Sequence, residues 1–289
     1  MTADIKLKNV NYRYPLSKIY ALQEINCKFE PGKFYGIIGE NGAGKTSLCN
    51  LIRGLIPHFY NGELSGDILI NGTDVRELDD SKLAVNIGYV FQNPYTQISG
   101  IKETVFEEIA MGLENLGVEK MEMIDRVLSV SKQLEIENLL DKNPNALSGG
   151  QRQRVAFASI IVMDAQTMVI DEPTSQLDPE GTQNVFDIIH MLKETGKTII
   201  LVENKIDLIA QYSDEVIVME KGKIVINGPT EKVLSNRDLL KHKAGIPIVA
   251  QFGHAMEDEG KSLSKIPITV NETIHLIKER IERGSYIGN

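Results

Sequence analysis

Between residues 5 and 38 apolar and polar side chains alternate, as in "IKLKNVNYRY" and "EINCKFEPGKFYGIIG". A period of two puts every second side chain on one face of a strand. The region therefore predicts several strands, the first of them half-buried and antiparallel, with a turn at Pro31-Gly32. Farther on the pattern changes. "TMVID" (167–171), "TIILVE" (198–203) and "EVIVME" (215–220) are short unbroken apolar runs, the mark of buried parallel strands. "DILING" and "KGKIVING" end in turn chemistry and predict hairpin arms at a sheet edge. Between the two strand-rich blocks, over about residues 93–165, apolar positions recur at helical spacing in "TVFEEIAMGLENLG" and "MEMIDRVLSVSKQLEI". After "GPTEKVL" the strand pattern stops. The expected organisation is one α/β domain over residues 1–236, with a helical insert at about 93–165, followed by a small module over 237–289.

Two helix starts in this pattern carry chemistry. "GENGAGKTS" (39–47) matches G-x-x-x-x-G-K-[ST], follows the apolar strand "FYGII" and precedes the helix "TSLCNLIRG". That context predicts a phosphate-binding loop. Gly39, Asn41, Gly42, Ala43 and Gly44 form its turn, and backbone N–H groups from Gly42 to Thr46 wrap phosphate oxygens. Lys45 adds a point charge, Thr46 completes the motif with its hydroxyl placed for Mg²⁺, and Ser47, the next residue, is a further ATP-binding candidate. The fold is then an α/β P-loop nucleoside triphosphatase (NTPase) core with a mainly parallel sheet and an antiparallel β edge.

"MVIDEPTSQLDP" (168–179) supplies the complement: a buried strand delivers Asp171 at its C-terminal end, suited to reach Mg²⁺ through water. Glu172, next in line, is the expected general base for an attacking water. Asp178-Pro179 reads as a helix N-cap with proline at N1.

The second helix start is "NALSGGQRQR" (145–154). Ser148 caps it, and Gln151 completes a reciprocal capping box. Gly149 and Gly150 fit poorly there on local grounds, because each costs about 1 kcal/mol against alanine inside a helix. Glycines suit a helix tip that something must approach closely.

Composition limits the partners. The 289 residues carry a formal net charge of −9, which argues against general nucleic-acid binding. The two cysteines, Cys27 and Cys49, stand in apolar patterns that fit reduced thiols. "MTADIKLKNV" lacks the organisation of a signal peptide, and no run approaches the ~20 apolar residues of a membrane span. A membrane role is therefore expected to be peripheral. The five histidines are scattered without metal-ligand spacing.

Taken together and in chain order, "GENGAGKT", "LSGGQ", "MVIDE" and "SQLD" resemble the Walker A, signature, Walker B and D-loop sequences of ATP-binding cassette ATPases. The resemblance implies that Ser148, Gly149, Gly150 and Gln151 close over the γ-phosphate of an ATP held by a second chain, so that two ATP molecules are sandwiched between two chains. It also implies that Tyr14 stacks on adenine, that Gln92 in "VFQNP" touches Mg²⁺ and the water, and that Asp178 serves the shared site. One position departs. The family usually places a histidine after the strand "TIILV", where this chain has Asn204. Asparagine donates a hydrogen bond to phosphate but carries no proton or positive charge, which implies a slow composite site.

"GLIPHFYNGELSGDILINGTDV", "QNPYTQISGIKETVFEEIAMGLENLGV" and the tail from "AGIPIVAQFG" onward are similar to the ATPase subunits of energy-coupling factor transporters. That likeness implies a homo- or heterodimer on the cytoplasmic face of the membrane. It would dock on a transmembrane coupling protein that works with a membrane substrate-binding component to import vitamins or metal ions. Residues 93–101 would face the coupling protein, and 237–289 would help hold the dimer. Rival readings are a cassette ATPase acting on a non-membrane target, a slow half of a heterodimeric pair, and a non-hydrolysing regulator. Glu172 speaks against the last.

Overall fold

The computed structural model describes residues 4–175, 177–242 and 244–285. Its strands are β1 (Ile5–Arg13), β2 (Leu22–Phe29), β3 (Phe34–Ile38), β4 (Glu63–Ile70), β5 (Thr73–Asp74), β6 (Ile87–Val90), β7 (Thr167–Asp171), β8 (Thr198–Val202), β9 (Glu215–Glu220) and β10 (Lys223–Pro229). The main helices are α1 (Lys45–Ile52), α2 (Val105–Asn115), α3 (Lys120–Gln133), α4 (Gly149–Ile161), α5 (Pro179–Glu194), α6 (Ile206–Tyr212), α7 (Ile248–Asp258) and α8 (Val270–Ser285). The chain divides into two compact units. One takes the chain through Lys33 and from Thr46 to Val202; the other takes Phe34–Lys45 and the chain from Glu203 on.

The first unit holds two strand systems. In the antiparallel one, β1 pairs with β2 and β4, and β4 turns back into β5. Its alternating pattern buries Ile5, Leu7, Val10 and Tyr12 of β1. Asn71-Gly72, both at positive φ, make the expected hairpin turn. In the parallel system β6 pairs with β7 and β7 with β8, in a register that sets Tyr89 beside Val169 and Asp171 beside Val202. All five residues of β7 and of β8 are buried, as their unbroken apolar runs require.

The helical insert follows its periodicity. Thr104 and Glu107 cap α2 reciprocally, and Val105, Ile109 and Leu113 form its buried stripe. α4 follows from the reciprocal box of Ser148 and Gln151. Asp178 caps α5 by accepting from Gly181 N at 2.7 Å, with Pro179 at N1.

In the second unit β3 runs parallel to β9, and β10 returns antiparallel on β9. The hairpin "KGKIVING" forms, but its turn is not at the Asn-Gly pair. Asn227 and Gly228 lie within β10, opposite Ile217 and Val216. The reversal falls at Lys221-Gly222, both at positive φ. An Asn-Gly pair turns a chain only where the strand's register leaves it unpaired, and here six β10 pairings outweigh that local preference. The mixed pattern of the tail resolves into helices, α7 and α8 among them. No helix among the described residues is long and apolar enough to cross a membrane.

Candidate nucleotide site

In the second unit, β3 leads into the loop 39–45. Gly39, Gly42 and Gly44 have φ of 149°, 82° and 102°, conformations that favour glycine and suit a loop whose backbone N–H groups bind an anion. At Gly39 the demand is also steric, since a Cβ would come within 2.2 Å of the Met219 carbonyl oxygen. The loop is held by Ala43 N donating to Glu40 O (3.1 Å) and by Gly222 N donating to Ala43 O (2.9 Å). Asn41 and Gly42 are exposed, and Ala43 is buried. Lys45 is buried to 5% exposure; its Nζ donates to Gly39 O at 2.8 Å and to Glu40 O at 3.3 Å.

The same unit carries Asn204, the departure from the family pattern. Its side chain is exposed just past β8, and its backbone N donates to Glu203 Oε1 at 2.8 Å. Glu203, only 2% exposed, also accepts from Lys205 N at 3.1 Å. A buried carboxylate thus shapes the turn that presents Asn204. In the sequence Glu203 reads merely as the end of an apolar strand.

The first unit carries the remaining groups. Thr46 and Ser47 lie in the first turn of α1, with the Thr46 side chain exposed. Tyr14, just beyond β1, shares a hydrogen bond of 3.1 Å between its hydroxyl and Ser47 Oγ. The ring meets Tyr12 edge-on at 4.8 Å and Tyr60 at 5.8 Å, so it is fixed in orientation.

Asp171 ends β7 at 5% exposure. Glu172 follows at φ 46°, an uncommon conformation for a residue with a side chain. Its backbone N donates to Val202 O at 2.9 Å, extending the β7–β8 ladder by one bond. Gln92, exposed after β6, donates from Nε2 to Glu172 Oε2 at 3.1 Å and to Ser175 Oγ at 3.4 Å. Of the first unit's expected residues, hydrogen bonds thus join Gln92 to Glu172 and Tyr14 to Ser47.

Ser148 Oγ accepts from Gln151 N at 3.4 Å, and Gln151 Oε1 accepts from Ser148 N at 3.2 Å. Gly149 and Gly150 are exposed, and a Cβ added to either would meet no atom of another described residue within 4 Å. Neither glycine is therefore required by packing. Gln153, one turn on and 5% exposed, donates to Pro173 O at 3.0 Å, which ties α4 to the segment after Glu172. That bond had no signal in the sequence: a lone glutamine on a helix is ordinarily a solvated residue. Asp178 is exposed beside its capping bond; Gln176 of the "SQLD" stretch lies outside the described residues.

Known proteins resemble this chain over most of its length. The family model for ABC transporters matches residues 22–175. The energy-coupling factor transporter ATP-binding protein EcfA2 of Streptococcus agalactiae is 34% identical over 285 residues, covering 95% of this chain and 99% of that protein. The structure of cbiO1 from Clostridium perfringens, described as part of the ABC transporter complex cbiONQ, superposes with a TM-score of 0.72 at 32% identity, over 89% of this chain and 100% of the other. A dimeric ATP-binding cassette in a post-hydrolysis state, bound to ADP and phosphate, gives a TM-score of 0.67 at 28% identity, over 78% of this chain and 98% of that one.

Proposed function

Because the chain belongs to the ABC transporter family of ATPases, we propose that it is the ATP-hydrolysing subunit of an energy-coupling factor type importer, powering uptake of a vitamin or metal-ion micronutrient. The Streptococcus relative bears that transporter's name, and the Clostridium structure is described as one part of a multicomponent transporter complex. On this reading the chain pairs with a second cassette chain and sits peripherally on the cytoplasmic face of the membrane. There it docks on a transmembrane coupling protein that works with a membrane substrate-binding component.

The observation that carries the two-chain mechanism is the bare helix tip at residues 148–150. It is capped, exposed, and lined by glycines for which the described residues show no packing use. A helix N-terminus offers partial positive charge and backbone donors to an anion. The resemblance to cassette ATPases assigns that anion as the triphosphate of a partner chain.

Each residue then has a task. The loop amides and Lys45 bind the phosphates of the chain's own ATP, and Tyr14 stacks on its adenine. The oxygen donors of Thr46, Gln92 and Asp171 suit Mg²⁺, a hard ion that prefers one or two carboxylates with phosphate and water. When bound, that ion neutralises charge on the β- and γ-phosphate oxygens. Glu172 accepts the proton of the attacking water, and Gln92 steadies its carboxylate through the 3.1 Å bond. Asp178 orders the start of α5 toward the shared site.

Asn204 favours a second element of the reading, that the composite site using it turns over slowly and the paired chain supplies a faster one. The decisive experiment isolates the transporter from native membranes with Glu172→Gln in this chain, arrested in Mg-ATP. Two cassette chains per assembly are expected, with membrane partners attached. A single cassette chain, or a chain recovered without membrane partners, would overturn the importer reading.

A further inference from the structure

The end of β6 addresses two carboxylates from neighbouring positions. Gln92 reaches Glu172, and Tyr89, three residues earlier, donates its hydroxyl to Asp171 Oδ2 at 3.3 Å. The register explains the reach: Tyr89 lies beside Val169, and Asp171 is two residues farther along β7, on the same face of the strand. Behind the phenol stands Arg53, just past the end of α1. Its guanidinium lies 3.6 Å from the centre of the Tyr89 ring and 5.2 Å from that of Phe91.

We propose that Tyr89 is a positioning residue for Asp171 and that Arg53 holds Tyr89 in place, so that α1 is mechanically tied, through one aromatic ring, to the carboxylate serving Mg-ATP. The inference rests on the metal-side role given to Asp171 above. α1 begins in the phosphate loop at Lys45 and ends just before Arg53, so the helix that starts on the phosphates also braces the strand-end carboxylate.

Three observations support the tie. A buried carboxylate rotates about its last bond unless a donor fixes it, and Tyr89 supplies an O–H to one of its two oxygens. The ring that carries this hydroxyl is itself held, with the Arg53 guanidinium 3.6 Å from its centre. Arg53 Nε is buried and has no hydrogen-bond partner among the described residues. A guanidinium with an unsatisfied nitrogen is compensated here by its cation–π contact with Tyr89, with the Phe91 ring, at 84° to that of Tyr89, beside it.

Packing alone would also stack an arginine on a tyrosine, and the two accounts separate on a single hydroxyl. Tyr89→Phe keeps the ring under Arg53 and removes only the bond to Asp171. The measurement saturates the protein with a non-hydrolysable ATP analogue and titrates Mn²⁺ as the probe, counting bound metal by its electron paramagnetic resonance signal. In parallel, affinity for a fluorescent ATP analogue is read in EDTA. Tyr89→Phe should raise the Mn²⁺ concentration for half-occupancy about tenfold, with metal-free nucleotide affinity within about twofold of wild type. Arg53→Met should shift the metal titration in the same direction by less, and Asp171→Asn should shift it most. If Tyr89→Phe titrates like wild type while Asp171→Asn is weakened, the tie is wrong and the role of Asp171 stands. If Asp171→Asn itself titrates like wild type, both fall. Equal losses in EDTA and in metal would reduce Tyr89 to a packing residue and overturn the proposal.

Discussion

Single residues divide here into those the fold needs and those it does not. Gly39 belongs to the first kind, because a side chain there collides with the Met219 carbonyl. Gly150 belongs to the second. Gly150→Asp adds a carboxylate to open space at a helix N-terminus, where a negative charge is stabilising by about 0.3–1 kcal/mol. The expected outcome is an unchanged or slightly raised Tm, normal ATP binding by the single chain, and turnover lowered about a hundredfold as the carboxylate repels a partner's γ-phosphate. Thermal melts beside a steady-state phosphate assay check it; a variant that keeps turnover would remove the glycine tip from catalysis. Asn204 makes a second residue-scale prediction. Its backbone is anchored by Glu203 whatever the side chain, so Asn204→His should fold normally and hydrolyse faster, by roughly tenfold if it restores one charged contact to the transition state. A rate at or below that of the unmodified chain, with ATP still bound, would sink the slow-site reading.

Among the elements, what was readable depended on how local the cause was. The strand before the phosphate loop was legible because "FYGII" must be buried and the glycines after it must turn. The capping box at Ser148 was legible because Ser148 and Gln151 stand within three positions of one another. Turn placement in the β9–β10 hairpin was not, because register along a whole strand overrode an Asn-Gly pair. The candidate site was legible in the same uneven way: Asp171 and Glu172 stand out at a strand end, whereas the bonds from Tyr89 and Gln153 depend on residues far apart in sequence. The helix tip offers an element-scale test. Ser148→Ala removes one exposed cap, which should cost about 1 kcal/mol. Because α4 also holds Pro173 through Gln153, turnover should fall by more than that stability loss explains. A denaturant titration alongside the ATPase rate separates the two effects.

For the molecule as a whole, the proposed ATP sandwich predicts a linkage between nucleotide, metal and assembly. Glu172→Gln with Mg-ATP should run at twice the mass of the chain by light scattering if two identical chains pair, or pair only on addition of the second cassette chain if they do not. Stripping the metal with EDTA should shift the paired form back toward single chains, since charge on two facing triphosphates would go uncompensated. Pairing that ignores both nucleotide and metal would place the contact elsewhere than at the glycine tip. The tail helices α7 and α8 keep exposed apolar side chains, Ile248 at 69% and Val270 at 62% among them, and removing residues 237–289 is the control for a contact of that kind.

The emptiness around Gly149 and Gly150 has one more consequence, for inheritance. A lesion at either glycine leaves folding undisturbed, so cellular proteases that remove unfolded chains have nothing to recognise. On the proposed two-chain reading, the damaged subunit would accumulate, compete for the same membrane berth, and spoil an ATP pocket belonging to its neighbour rather than its own. Such an allele should be dominant over a healthy copy, while a lesion at Gly39, which prevents the loop from forming, should be recessive.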